Sequence, residues 1–138
     1  MIEQHSVSLS DAQSIVKAAL AKADEIGSPS NVAVVDSGGN LLAFARMDKA
    51  WLGSIDIAIS KAFTSRAFDL PTRDLASLAK PGSAFYGIQE SNHGRVNILP
   101  GGVPLKNKGK VVGAVGVSGG TGDQDQTIAE AAAGVIKN

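Results

Sequence analysis

The chain has 138 residues and a mass of 14.0 kDa, with 43% hydrophobic and 19% charged residues, enough apolar matter for one buried core and not for two. Its 13 Lys+Arg are balanced by 13 Asp+Glu, so it lacks the basic excess of a protein that binds nucleic acid by neutralising phosphates. The absence of Cys excludes disulfide scaffolds, thiolate zinc sites, iron–sulfur clusters and cysteine nucleophiles, and with only two histidines, His5 and His93, multi-histidine metal cages are excluded as well.

The amino-terminal Met1-Ile2-Glu3-Gln4-His5 has no basic region followed by an apolar run, and no apolar segment approaches the about 20 residues needed to span a bilayer, so the cytoplasm is the expected location and no membrane partner is expected. The clearest helix is Ser10–Ile26. Ser10 and Gln13 suit a capping box, Ala12, Ile15, Val16, Ala19, Leu20 and Ala23 recur at helical spacing, Gly27 supplies a left-handed stop and Pro29 forbids a restart. A buried strand follows at Asn31–Asp36, then a turn at Ser37-Gly38-Gly39-Asn40 and a returning strand at Leu41–Met47. Ser54–Leu70 reads as a helix capped by Ser54 and ended by Pro71, and Thr72–Leu78 as a short second helix stopped by Pro81-Gly82. Between residues 83 and 102 the pattern is weak, with short strands expected around Phe85–Ile88 and Arg95–Leu99. Val103–Asn107 and Lys110–Val117 read as a hairpin about Lys108-Gly109, whose lysines discourage edge-to-edge pairing, and Thr121 caps a last helix reaching Ile136.

No linker or internal repeat divides the sequence, so residues 1–138 form one domain. Short turns connect antiparallel and not parallel neighbours, which makes an antiparallel sheet layered with helices, an α+β arrangement, the expected architecture. A single sheet this small often buries its second face against another copy, so a homo-oligomer is expected.

Gly116-Val117-Ser118-Gly119-Gly120 is a literal G-x-S-x-G between a strand and a helix. A hydrolase elbow needs an acid and then a histidine downstream of the serine, and no histidine follows Ser118. The same glycines precede a helix but match neither phosphate-binding glycine pattern, and Asp123 and Asp125 in the first helical turn would repel a phosphate while complementing the helix dipole. His93, in Ser91-Asn92-His93-Gly94-Arg95, is an imidazole in an aperiodic segment, suited to a general base or an axial ligand, with a solvated surface histidine as the plainer account; His5 reads as solvated. Lys61 and Ser65 share a helix face with Thr64 beside them, an arrangement able to hold a carboxylate or propionate, although a solvated helix face is the simpler explanation. Arg46 follows the second strand and offers a further cation.

Taken together, Asp36-Ser37-Gly38-Gly39-Asn40-Leu41 with Arg46-Met47-Asp48, Lys61-Ala62-Phe63-Thr64, Gly101-Gly102-Val103-Pro104-Leu105 and Gly113-Ala114-Val115-Gly116-Val117-Ser118-Gly119 resemble the GlcG/HbpS-like family of haem-degrading or haem-binding proteins, which also resembles the C-terminal domain of PduO-type proteins. The resemblance runs over nearly the whole chain. It implies a profilin-like layered fold with a five-stranded antiparallel sheet flanked by helices, commonly assembled into homo-oligomers, and makes the glycines strand and turn positions. Some members bind haem through a histidine in or near the first helix. Residues 10–26 contain none and only His5 lies upstream, which leaves His93, His5 or an oxygen ligand such as Thr64.

Three readings follow. In the first the chain binds haem or another tetrapyrrole, with a possible link to haem degradation; the ring lies in an apolar cleft, with His93 as axial ligand and Lys61 or Arg95 pairing the propionates. In the second it is a metal-independent enzyme acting on a small hydroxy- or oxo-acid, with His93 as base and Arg95 or Arg46 clamping the carboxylate. In the third it is a non-catalytic accessory module.

Overall fold

The computed structural model describes residues 1–136. Four helices and four strands follow in the order α1 (Leu9–Glu25), β1 (Asn31–Val35), β2 (Leu41–Arg46), α2 (Gly53–Phe68), α3 (Thr72–Leu78), β3 (Gly102–Asn107), β4 (Lys110–Ser118) and α4 (Gly122–Ala133), with two short 3-10 turns at Ile88–Glu90 and Asn92–Gly94. The strands form one antiparallel sheet in the order β2-β1-β4-β3. Each hairpin is local in sequence, and the sheet is closed by pairing β1 with β4, which sets Val32 opposite Val117 and Val34 opposite Val115.

Alternation along the strands sorts side chains onto two faces. Val32, Val34, Val115 and Val117 point to one side, where Ile15 and Ala19 of α1 and Ile128 and Ala132 of α4 complete the main core. Ala33, Val35 and Ala114 point to the other, against Ala58 and Ala62 of α2. The second face is therefore covered by α2 of the same chain. Small residues let α2 approach closely: a Cβ on Gly116 would collide with the Ala58 carbonyl oxygen and lie 2.5 Å from the Ala62 backbone nitrogen. That contact, and not a catalytic elbow, explains the first glycine of the G-x-S-x-G run.

Several expected boundaries move. The first helix begins earlier, because the capping box is Ser8 with Asp11 and not Ser10 with Gln13: Asp11 N donates to Ser8 Oγ at 3.0 Å and Ser8 N donates to Asp11 Oδ2 at 2.9 Å. Its end is as read, with Gly27 at φ +70°. Ser54 does not cap α2, which starts from Leu52 without a side-chain cap and stops at Asp69 in the left-handed region. Thr121 caps α4 in a box with Gln124, but the helix ends at Ala133, short of Val135 and Ile136.

The sheet has four strands, not five. The segment expected to supply short strands, around Phe85–Ile88 and Arg95–Leu99, forms none. Its backbone is consumed locally by bonds three residues apart, Ile88 N to Phe85 O, Glu90 N to Gly87 O, Gly94 N to Ser91 O and Arg95 N to Asn92 O. Positive φ at Gly82, Gly87, Asn92, His93 and Gly94 keeps reversing its direction, so no stretch stays extended long enough to pair.

Candidate functional site

The tested residues fall at separate places on the fold. Lys61 lies mid-way along α2 and points beneath β4. It is 1% exposed, where a solvated helix face was the simpler expectation, and Ser65 beside it is buried too. Its Nζ donates to Asp125 Oδ2 at 3.0 Å and to the Val117 carbonyl oxygen at 2.8 Å. Asp125 also accepts from Gly120 N at 3.0 Å through Oδ1, so its carboxylate is satisfied from two sides. Burial pulls the Lys61 ammonium below its ordinary value, and the charge and hydrogen bond of Asp125 partly offset that. This pairing commits the Lys61 charge internally.

Thr64, one turn further along α2, donates to the Ser60 carbonyl oxygen at 2.7 Å and accepts from Asn97 N at 2.9 Å. Its hydroxyl thereby ties the irregular 83–101 segment to the helix. Arg95 lies over the Phe63 ring, 3.8 Å from its centroid, and is otherwise exposed. His93 occupies a left-handed position, φ 58°, on an exposed tight turn. Arg46 is exposed at the end of edge strand β2, opposite Asn31. The structure thus brings Thr64 of α2 against the backbone of Arg95 but gathers His93, Arg46 and Lys61 into no common cleft among the depressions described.

Three depressions border His5. The three meet where the amino-terminal segment crosses the β3–β4 hairpin. Val7 N donates to the Val112 carbonyl oxygen at 3.0 Å, and Ser6 Oγ accepts from Ser37 N at 3.0 Å, which pins the two residues that follow His5. The larger depression, ≈ 400 Å³, has Val7, Val112, Val135 and Ile136 as apolar wall. The next, ≈ 280 Å³, brings Arg66 and Lys110 beside the same imidazole, and the smallest adds Lys108. His5 is exposed, as expected, but at a concave and cationic place that its position before the first helix did not reveal.

A fourth depression, ≈ 350 Å³, opens at the amino-terminal ends of α2 and α4. Trp51, Leu99 and Pro100 lie on its wall, with Lys61, Asp125, Ser54 and Ser118 as its polar groups. Sequence reading missed this constellation. The signal for it was the run of small residues at Ala58, Ala62 and Ser65, which marks the Lys61 side of α2 as buried and obliges Lys61 to find an acid. Among the described residues no cluster of three or more His, Asp or Glu could hold a metal ion, and no helix is long and apolar enough to cross a membrane.

These features define a small α+β domain: two hairpins joined into one antiparallel sheet, helices on both faces, and concave sites at its ends. The chain belongs to the family of the haem degrading protein HbpS-like, whose model matches residues 7–134. It is 43% identical over 127 residues to an uncharacterized 15.0 kDa protein in the dhaT–dhaS intergenic region of Citrobacter freundii, covering 92% of this chain and 89% of that one. It is 35% identical over 131 residues to the corrinoid adenosyltransferase PduO of Citrobacter freundii, covering 95% of this chain but only 39% of the transferase. Among solved structures it superposes on the PduOC:heme complex with a TM-score of 0.91 at 33% identity, covering 96% of each chain.

Proposed function

We propose that this protein binds haem, with the iron ligated by His5. The observation that carries the reading is that His5 borders three depressions, while His93 sits on an exposed tight turn, in a chain that matches a protein solved with haem over nearly its full length. The residues present fit the group. Neutral imidazole is a common axial ligand of haem iron. Val7, Val112, Val135 and Ile136 offer an apolar surface for the macrocycle face, and Arg66, Lys108 and Lys110 offer cations for its propionates. Arg66 is held for this by its Nε, which donates to the Ser37 carbonyl oxygen at 2.7 Å, and by Asp69 at 2.6 Å.

Haem, when bound, supplies an iron able to take a ligand on its open side. The chain's own part is to hold the imidazole and screen one face of the ring. Assembly into a homo-oligomer and a cytoplasmic location belong to the same proposal; a second copy seated over the exposed side of His5 would enclose the ring further.

Titration with hemin tests the reading. A saturable Soret shift is expected, weakened about tenfold or more, ~1.4 kcal/mol, by His5→Ala and unchanged by His93→Ala. A shift lost in His93→Ala and kept in His5→Ala would overturn the ligand assignment, and no saturable shift would overturn haem binding. Following the loaded protein with dioxygen and a reductant reads whether the ring is consumed.

A further inference from the structure

The cavity between the amino-terminal ends of α2 and α4 is separate from His5 and is not used by the proposal above. Its wall is largely apolar, yet it contains polar groups that the fold leaves without partners. Ser54 and Ser118 are only 4% and 5% exposed, and among the described residues neither hydroxyl makes a hydrogen bond although both line the cavity. Beside them stands Asn31, fully buried. Its Nδ2 donates to the Trp51 carbonyl oxygen at 3.0 Å, which fixes the amide orientation and leaves Oδ1 buried with no donor. Asn31 is the cross-strand partner of Ser118, so the two side chains share the α2 face of the sheet. Buried polar atoms without partners are rare in folded proteins, and Asn31 Oδ1 is one; the Ser54 and Ser118 hydroxyls beside it line the cavity and are open to a guest.

Charge selects the guest. Lys61 and Asp125 cancel each other across 3.0 Å, and among the described residues no other ionisable side chain lines the cavity. A carboxylate or an ammonium lying in it would lose part of its water against apolar walls with no free counter-charge, which is unfavourable. The uncommitted groups the cavity presents are two hydroxyls, each able to donate and accept, and those are met by hydroxyl groups. A volume of ≈ 350 Å³ lies at the small end of the about 300–1,000 Å³ of small-molecule sites.

We propose that this cavity binds a small neutral hydroxylated molecule, its carbons against Trp51, Ile57 and Leu99 and its hydroxyls on Ser54 and Ser118. Trp51 is the only tryptophan and lines the cavity, so its fluorescence reports occupancy directly. The test titrates the full chain, without hemin, with 1,2-hexanediol, and in parallel with hexanoate and hexylammonium as charged molecules of the same carbon number. A saturable change in Trp51 emission is expected for the diol alone. Ser118→Ala is expected to weaken it about fivefold to tenfold through the lost hydrogen bond, Ser54→Ala gives an independent second variant should the first fail to fold, and His5→Ala is expected to leave it unchanged. The proposal is overturned by the absence of a saturable diol response, by hexanoate binding as tightly as the diol, or by full affinity in a folded Ser118→Ala or Ser54→Ala protein.

Discussion

Removing Asp125 tests how the interior tolerates Lys61. Both side chains are nearly inaccessible, 2% exposed for Lys61 and 5% for Asp125, and Asp125→Ala leaves the ammonium facing only the Val117 carbonyl oxygen and Gly120 N without its acceptor. Breaking a buried pair by deleting one partner costs about 3–5 kcal/mol. The loss has a ceiling, because Lys61 can instead enter the fold neutral. From its ordinary value of 10.5, neutralisation at pH 7.5 costs three units at about 1.36 kcal/mol each, ~4 kcal/mol, so the two routes agree. For a domain of this size such a loss lowers Tm by about 10–20 °C. The ceiling also fixes the pH dependence. In the variant the folded Lys61 binds a proton less readily than the unfolded one, the unfolded chain holds more protons, and stability rises with pH until 10.5. At pH 9.5 the same ceiling is only ~1.4 kcal/mol. Urea unfolding of wild type and Asp125→Ala at both pH values measures this. Lys61→Met combined with Asp125→Leu is expected to recover most of the loss, since an apolar pair of similar volume removes the stranded charge. A loss below about 1 kcal/mol at pH 7.5, well short of a broken buried pair, or one that stays constant between the two pH values, would refute the reasoning.

Gly116→Ala places a methyl group on the backbone of α2 at Ala58 and Ala62, contacts that no rotamer change relieves, so about 3 kcal/mol of destabilisation is expected in chemical denaturation. Thr121→Ala removes the acceptor for Gln124 N at 3.2 Å and is expected to cost ~1 kcal/mol; because α4 also carries Asp125, the Trp51 response to the diol should weaken with it.

The strands and helices were legible because their signals are local and redundant. Gly27, Pro71 and Lys108-Gly109 punctuate the chain, and apolar periods fill the intervals. Two things were not legible. The 83–102 segment contains Phe85, Tyr86, Ile88, Val96 and Ile98, which suit a strand, and only the positive φ values at Asn92 and His93, permissive for any asparagine or histidine but required of neither, turn it into consecutive tight turns. The partnership of Lys61 with Asp125 spans 64 positions and is created by the β1–β4 pairing, which no local pattern announces. Asp125 had a sufficient local explanation as a first-turn acid, and so its second role went unseen. The surroundings of His5 were hidden for the same reason: a residue before the first cap reads as tail, and only the bond from Val7 N to Val112 O lays that tail along the hairpin, where depressions border the imidazole.

The place of Ser118 follows from these separations. A serine nucleophile needs a base within hydrogen-bond reach, ordinarily an imidazole. The chain has two; one borders the depressions on the amino-terminal segment and the other sits on an exposed turn, and neither lines the cavity that contains Ser118. Lys61 is the one ionisable donor there, and its protons are directed at Asp125 and Val117 O. A hydroxyl surrounded by a satisfied ion pair, an orphan amide oxygen and apolar walls has nothing to take its proton, but it can both donate and accept. Its chemistry is recognition, and substituting it should change what the cavity holds without altering the hemin titration proposed to report on His5.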